Sequence, residues 1–292
     1  MSDHGITRVG VVGCGLMGSG IAEVAAKSGV PTIVCEVNSE SAERGQGRIK
    51  KSVDKALDSR KISQTEAEEI HRNLSFTTDL AGLSECDLII EAIIENETSK
   101  VDIFRRLDQI VRWPDTILAT NTSSIPVMKL GMVTTRPTHV VGIHFFNPVP
   151  VLRLTEVIPS LLTSSETTRR TRLFVEANLN KKVILAKDRA GFIVNSLLVP
   201  YILSAIRMLE SGYASAEDID TGMMEGCAHP MGPLRLADLI GLDTAMAVAE
   251  SLYMEFKEPL FAPPPLLCRM VDAGLLGRKV GRGFYDYQRG KQ

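Results

Sequence analysis

Short apolar runs alternate with amphipathic segments along the chain up to residue 187. Strand-like runs occupy residues 7–12, 32–36, 87–93, 116–120, 138–143, 152–158 and 182–185. Strands that alternate with helices predict a mainly parallel, doubly wound α/β sheet. The run at 152–158 alternates apolar and polar residues, which favours an edge or antiparallel addition to that sheet.

One insertion departs from a plain doubly wound domain. Residues 38–74 are too long for a simple crossover and predict two polar helices, the second opened by a capping box from Ser63 to Glu66. The first helix carries an excess of basic residues, which ordinarily form a solvated face and alternatively form a docking surface for a phosphorylated ligand. These residues are Arg44, Arg48, Lys50, Lys51, Lys55, Arg60 and Lys61.

The strand pattern stops after Gly191. Because 292 residues exceed the usual size of one domain, we predict an α/β domain at 1–187 and an all-α domain at 188–292. Residues 192–210 are apolar on nearly all sides around Pro200, which predicts a kinked helix buried on both faces, as at a domain or subunit interface. His229 lies among prolines and glycines without a charged neighbour in sequence, and we interpret it as a structural turn residue.

Glycines follow the first predicted strand and lead directly into a helix. In Gly13-Cys14-Gly15-Leu16-Met17-Gly18, the first glycine allows a tight turn, the second lets backbone approach a pyrophosphate, and the third lets helix pack on strand. The second strand ends in Glu36, at the distance where a carboxylate reaches the ribose hydroxyls of an adenosine. This unit predicts a Rossmann-type site for NAD, which is favoured over NADP because a carboxylate repels a ribose 2′-phosphate. The alternative for Glu36 is a polar strand cap.

Composition argues against several other classes of protein. The formal net charge is −2 and no Lys/Arg tail is present, which argues against a general affinity for nucleic acid. The five cysteines are scattered without metal spacing, so we expect reduced thiols and no metal site. There is no charged-then-apolar leader and no apolar stretch of membrane-spanning length, so we expect no membrane partner and a cytoplasmic location.

A histidine and a carboxylate stand out among the later strands. The apolar run at 138–143 leads into His144, and Glu156 follows on the next strand-like segment. A histidine with one ring nitrogen held by a carboxylate presents the other as a base near neutral pH, which is what removing a proton from an alcohol requires. The alternative is a satisfied structural histidine at a strand end.

Several short motifs carry a resemblance when they are taken together. They are Gly13 to Gly18, Glu91-Ala-Ile-Ile-Glu95, Asn121-Thr-Ser-Ser124, His144 to Val151, Gly191-Phe-Ile-Val-Asn195, Pro230-Met-Gly-Pro233 and Gly281-Arg-Gly-Phe-Tyr285. In order and spacing they resemble the L-3-hydroxyacyl-CoA dehydrogenase family, close to its 3-hydroxybutyryl-CoA dehydrogenases. The resemblance spans nearly the whole chain.

The resemblance implies a reaction and the residues that perform it. It implies reversible, NAD-dependent oxidation of a (3S)-3-hydroxyacyl-CoA to a 3-ketoacyl-CoA, as in the β-oxidation of fatty acid metabolism, by a homodimer. His144 becomes the acid and base, and Glu156 the carboxylate that orients it. Ser123 and Asn195 are implied to bind the substrate 3-oxygen, and the alternatives for them are a turn residue and a helix N-cap.

The resemblance also implies contacts to NAD and to coenzyme A. Ser52 and Lys55 become candidates for a coenzyme A surface on the basic insertion helix. Asn147 is expected near the nicotinamide. The full implied set of cofactor contacts is Gly13, Gly15, Leu16, Met17, Gly18, Glu36, Glu95, Lys100, Ser123, Asn147 and Lys279.

Two departures from the family pattern affect these expectations. Glu36 stands where the family commonly has an aspartate, which keeps the charge and lengthens its reach. Ser59 lies near where relatives often have a lysine for the coenzyme A phosphate. That contact is then expected to fall to Arg60 or Lys61, or to be weaker.

Two other functions remain open from the sequence. The same scaffold could oxidise a sugar acid such as a gulonate, which requires no coenzyme A surface. A second alternative is an NAD-binding structural protein related to lens crystallins. Such a protein has no need of Ser123, His144, Glu156 and Asn195, so their joint presence weighs against it.

Overall fold

The computed structural model describes residues 4–288. The chain divides into two compact units, Met1–Asp188 and Arg189–Gln292. Each unit is built around its own cluster of buried apolar side chains.

An eight-stranded sheet organises the described part of the first unit. Its strands are β1 (Val9–Val12), β2 (Thr32–Cys35), β3 (Leu74–Thr77), β4 (Leu88–Glu91), β5 (Ile117–Thr120), β6 (Val140–Phe145), β7 (Leu154–Pro159) and β8 (Lys182–Leu185). The strand order is β3-β2-β1-β4-β5-β6-β7-β8. All neighbours from β3 to β6 are parallel, β7 is antiparallel to β6, and β8 is parallel to β7. This arrangement confirms the predicted doubly wound sheet and the antiparallel addition.

Helices cover the sheet of the first unit. They are α1 (Leu16–Lys27), α2 (Ser39–Asp58), α3 (Gln64–Arg72), α4 (Glu97–Ile110), α5 (Val127–Gly131) and α6 (Ser165–Ala177). Strands β1, β4, β5 and β6 are buried at every residue, as expected for apolar strands with both faces covered.

The insertion forms the predicted helical pair, α2 and α3. Asn38 caps α2 by accepting a hydrogen bond from the Ser41 amide, so the helix begins before the basic stretch. Ser63 opens α3 with the predicted capping box, in which Glu66 accepts the Ser63 amide at 2.7 Å.

Strand β3 was not expected from the sequence. Its residues, Leu-Ser-Phe-Thr, are half polar and follow α3 after a single residue, Asn73. Four residues give too short a period-2 pattern to separate a strand from a loop. Its place at the sheet edge depends on its pairing with β2, which is a tertiary contact.

The described part of the second unit is helical, as predicted. Its helices are α7 (Val194–Glu210), α8 (Ala216–Cys227), α9 (Pro233–Ile240), α10 (Leu242–Phe256) and α11 (Pro265–Asp272). Pro200 lies inside α7 as expected. Within this chain one side of α7 is buried, at Ile202 and Ile206, whereas Leu197 is 73% exposed, so burial of the second face against another subunit stays a prediction.

Three further observations bear on the sequence-based expectations. All five cysteines are free thiols, and Cys14, Cys35 and Cys86 are buried. Among residues 4–288, no group of histidine, cysteine and acidic side chains is arranged to hold a metal ion. No helix within the same described range has the length and apolar character needed to cross a membrane.

A buried carboxylate, Asp238, fixes the end of the described chain onto α9. Asp238 is fully buried and accepts hydrogen bonds from the amides of Phe284 and Tyr285 and from the Tyr287 hydroxyl, at 2.9, 3.0 and 3.0 Å. Burial raises the pKa of Asp238. Burial and the neighbouring Asp238 carboxylate together raise the pKa of Tyr287 to about 12. The second unit therefore depends on a satisfied polar contact inside its core.

We expect Asp238→Ala to destabilise the protein by about 3 kcal/mol, because it leaves three part-buried donors without an acceptor. Equilibrium urea unfolding followed by circular dichroism measures this loss. Asp272→Ala, which removes an exposed carboxylate at the end of α11, is the matched control and should change stability by less than about 0.5 kcal/mol. Equal stability of the two variants would contradict the anchoring role.

Candidate active site

His144 and Glu156 face each other across the one antiparallel pairing in the described sheet. The register of β6 and β7 places His144 directly opposite Glu156, and directly opposed residues project from the same face. His144 Nδ1 lies 2.7 Å from Glu156 Oε2, with Glu156 fully buried and His144 7% exposed. The carboxylate orients the imidazole through Nδ1, and Nε2 is the ring nitrogen on the side away from Glu156.

Neighbouring residues fix the end of β6. Asn121, which follows β5, accepts a hydrogen bond from the Phe145 amide at 2.9 Å. The ring of Phe146 meets the His144 imidazole edge to face, with centroids 4.6 Å apart. The imidazole is therefore restrained by the register, by a carboxylate and by an aromatic contact.

The glycine-rich turn has the shape needed to receive a dinucleotide. Gly13 has a φ of +87°, and a Cβ there would lie 2.9 Å from the Ala92 carbonyl oxygen. A Cβ on Gly18 would collide with the Gly13 carbonyl, which makes this glycine a packing requirement. By contrast, a Cβ on Gly15 would meet nothing within 4 Å. Gly15 thus borders open space at the amino end of α1, where Leu16 is 66% exposed, Met17 is half-buried, and the first turn holds no acidic residue.

Glu36 lies beside this turn. Its carboxylate accepts the Cys14 amide at 2.5 Å and the Val37 amide at 3.1 Å. Arg48 of α2 donates to the Cys14 carbonyl at 3.1 Å, so a cation and an anion border the same residue of the turn. A half-buried carboxylate next to the glycines is the arrangement that recognises a ribose in a Rossmann-type site.

Glu95 accepts several hydrogen bonds from the loop that follows β5. It accepts hydrogen bonds from the Thr122 hydroxyl, from the Ser123 amide at 2.9 Å and from the Ser124 hydroxyl at 2.9 Å. Partial desolvation of the carboxylate raises the pKa of Glu95, but the Lys100 ammonium and these hydrogen bonds hold that pKa below its usual value. Glu95 therefore remains ionised while it holds the backbone of Ser123 in place.

Lys100 is only 1% exposed and pairs with the carboxylate that holds this loop. Its ammonium is 2.6 Å from Glu91 Oε1 and 3.3 Å from Glu95 Oε2. Glu91 also accepts the Thr120 hydroxyl and the Ile93 amide, each at 2.7 Å. No role was expected for Glu91 from the sequence, although a carboxylate closing the apolar strand β4 was the available signal.

The structure places the remaining predicted residues as follows. Asn147 is exposed just beyond β6, Lys55 is exposed on α2, and Ser52 of α2 shares a side-chain hydrogen bond with Glu23 of α1. In the second unit, Asn195 lies in the first turn of α7. The N-cap of that helix is Ile193, so the N-cap alternative for Asn195 is wrong.

Lys279, the last of the predicted cofactor contacts, also lies in the second unit. Its ammonium is 2.6 Å from the Asp243 carboxylate of α10. Its predicted contact with NAD stays a prediction.

Five of the predicted features of the first unit follow the carboxyl ends of sheet strands. The carboxyl ends of β1, β2, β4, β5 and β6 lead respectively to the glycine-rich turn, Glu36, Glu95, Ser123 and Asn147. Ligands of open α/β sheets bind at this edge. The glycine-rich turn, Glu36, Glu95 and the His144–Glu156 pair therefore lie at or near this edge.

Comparisons with known proteins match this architecture over both units. The family model of the 3-hydroxyacyl-CoA dehydrogenase NAD binding domain matches residues 8–189, and that of the 3-hydroxyacyl-CoA dehydrogenase C-terminal domain matches residues 191–287. A 3-hydroxybutyryl-CoA dehydrogenase of Mycobacterium tuberculosis is 52% identical over 287 residues, which cover 98% of this chain and 100% of that relative.

Solved structures agree with the sequence comparisons. The crystal structure of M. tuberculosis FadB2 aligns with a TM-score of 0.96 at 52% identity, covering 97% of this chain and 99% of that one. The (S)-3-hydroxybutyryl-CoA dehydrogenase PaaH1 of Ralstonia eutropha aligns with a TM-score of 0.92 at 42% identity, covering 97% and 99%. With both of its units matched, the chain belongs to the 3-hydroxyacyl-CoA dehydrogenase family, and its first unit is the NAD-binding domain of that family.

Proposed function

We propose that this protein catalyses the reversible, NAD-dependent oxidation of (3S)-3-hydroxyacyl-CoA to 3-ketoacyl-CoA, with 3-hydroxybutyryl-CoA as its substrate. The observation that carries the proposal is the buried contact of His144 with Glu156 in the domain that holds the glycine-rich turn. The name and 52% identity of the M. tuberculosis relative support the substrate.

His144 is the acid and base of the proposed reaction. In the oxidation direction its Nε2 accepts the proton of the substrate 3-hydroxyl, and in the reduction direction it returns that proton. The imidazolium formed in the first case is stabilised by the Glu156 carboxylate at Nδ1. The Ser123 hydroxyl is proposed to donate a hydrogen bond to the 3-oxygen, whose charge changes during the reaction. The substrate contact that the resemblance implies for Asn195 stays a prediction.

NAD supplies the hydride acceptor when it is bound. The open space beside Gly15 and the exposed start of α1 suit its pyrophosphate, and Glu36 suits its ribose hydroxyls. We assign the nicotinamide side to Asn147 and Glu95. Because Lys100 is buried and paired with Glu95, its contribution to cofactor binding acts through that carboxylate.

The acyl-CoA is proposed to lie against α2. Ser52 and Lys55 are the candidate contacts on this helix, with Arg60 or Lys61 for a phosphate. The domain limits are proposed as 1–187 for NAD binding and 188–292 for substrate binding and dimerisation. The exposed Leu197 side of α7 supports a homodimer, because an apolar helix face of this kind is usually covered by a partner. We assign the protein to the cytoplasm.

The first experiment is the oxidation of NADH with acetoacetyl-CoA. We expect rapid loss of NADH absorbance with the thioester and none with free acetoacetate, because the proposed site binds the substrate through its coenzyme A portion. Activity with the free acid alone would instead favour the sugar-acid dehydrogenase. NADH binding without turnover of either compound would favour the crystallin-like alternative and contradict the proposal.

The second prediction concerns the acid and base. We expect His144→Ala to lower turnover by about 10²–10⁴-fold while NADH binding stays within about threefold, since the imidazole moves a proton but does not hold the adenosine. Steady-state kinetics and NADH fluorescence titration measure the two quantities. His139 lies just before the first residue of β6, at the end away from His144. His139→Ala is therefore the control and should keep full activity. Parallel loss of NADH affinity and turnover in the His144 variant would contradict its role.

The third prediction concerns cofactor choice. We expect Glu36→Gln to tighten NADPH binding by about tenfold or more, because a single like-charge repulsion at close range is worth about 1–4 kcal/mol. Fluorescence titration with NADPH and NADH measures the change. Glu40→Gln removes an exposed acid that pairs with Arg44 and should leave both affinities unchanged. An unaltered NADPH affinity in the Glu36 variant would show that this carboxylate does not discriminate between the two cofactors.

A further inference from the structure

Lys181 is a buried lysine whose contacts are with backbone carbonyls. It lies between α6 and β8 and is 8% exposed. Its ammonium donates hydrogen bonds to the carbonyls of Val149 and Leu152, the latter at 2.7 Å. Among residues 4–288, no carboxylate forms an ion pair with it within 4.0 Å.

The two carbonyls belong to the β6–β7 connection, which we define as residues 146–153. This connection joins the strand of His144 to the strand of Glu156 and carries Asn147. Its Val149 is buried and lies so close to α1 that a Cβ on Gly20 would come within 2.8 Å of the Val149 Cβ. The connection is therefore held between the helix that follows the glycine-rich turn and the Lys181 ammonium.

Burying a positive charge in this position is energetically unfavourable. Burial lowers the pKa of Lys181, the Arg153 and Lys27 charges lower it further, and Glu23 acts in the other direction. A buried ammonium is tolerated only where hydrogen bonds replace its water, and here two carbonyl oxygens do so. A methionine would fill similar space without that electrostatic cost, so the packing of the sheet does not by itself require a charge here.

We infer that Lys181 is a positioning residue of the active site. It holds the β6–β7 connection so that Asn147 keeps a fixed position relative to His144. The ladder of β6 and β7 fixes His144 and Glu156 without help from Lys181, but Asn147 lies beyond the ladder. The two carbonyls that Lys181 binds follow Asn147 by two and by five residues, and so fix the chain just past it. The inference rests on the proposed function, because Asn147 is assigned there to the nicotinamide side.

Lys181→Met tests this role, with Lys182→Met as the matched control. Lys182 is the next residue and is exposed. Its backbone amide donates to the Arg153 carbonyl, which a side-chain substitution keeps, so Lys182→Met removes one positive charge and leaves the hydrogen bonds to the connection intact. We expect Lys181→Met to lower kcat for acetoacetyl-CoA reduction by about 10–100-fold, since a displacement of about 1 Å can cost about 100-fold in rate. The NADH dissociation constant should change by less than about threefold, because the glycine-rich turn and Glu36 are untouched.

An isotope effect separates positioning from general damage to the fold. With NADH deuterated at nicotinamide C4, the isotope effect on kcat should rise in Lys181→Met, because a misplaced nicotinamide slows hydride transfer relative to product release. Lys182→Met should keep the wild-type isotope effect. Unchanged kcat and isotope effect in Lys181→Met, measured well below its melting temperature, would overturn the inference, as would equal loss of NADH affinity and kcat.

A second variant covers the case in which Lys181→Met does not fold. Lys181→Gln keeps hydrogen-bond donors on a shorter side chain that does not reach both carbonyls, and it should shift kcat and the isotope effect in the same direction. Wild-type values in that variant would also overturn the inference. A wild-type protein that binds NADH but does not reduce acetoacetyl-CoA would contradict the proposed function, whereas an active wild type with an equally active Lys181→Met would contradict only the role of Lys181.

Discussion

The site depends on the antiparallel pairing of β6 with β7. In an otherwise parallel neighbourhood this pairing brings Glu156 directly opposite His144, and the fixed register puts both side chains on one face at 2.7 Å. A shift of one residue would turn Glu156 to the other face of the sheet. The proposed acid and base chemistry is therefore a consequence of strand register, and the register is enforced by wholly buried residues of β6.

Buried charges stabilise the loops around this pair. Lys100 lies between Glu91 and Glu95, and Glu95 in turn holds the loop of Ser123. Lys181 binds the carbonyls of Val149 and Leu152 in the connection that follows the strand of His144. Loops at a sheet edge lack the hydrogen bonds of a strand ladder. Buried charged side chains that bind these loops can therefore fix their geometry, which positioning of a substrate requires.

Much of this arrangement could be predicted from residue pattern. The glycine-rich turn, Glu36 and the order of strands and helices follow from local spacing, since each depends on neighbours within one βαβ unit. The family resemblance supplied Glu95, Ser123 and Asn195, of which local pattern alone leaves Ser123 as a turn residue and Asn195 as a cap. Strand β3 and the pairing partners of Lys100 and Lys181 could not be predicted, because each is defined by residues far away in sequence.

The sequence by itself determined the fold class, the nucleotide turn and the identity of a histidine and a glutamate with the right chemistry. Those features are encoded in periodicity and in residue types that only certain backbone conformations accept. Only the tertiary structure decided that Glu156 meets His144, that Lys100 is buried between two carboxylates and that Lys181 binds carbonyls of the connection that follows β6. These contacts arise from strand register and burial, which depend on how distant segments pack together and not on the pattern within any one of them.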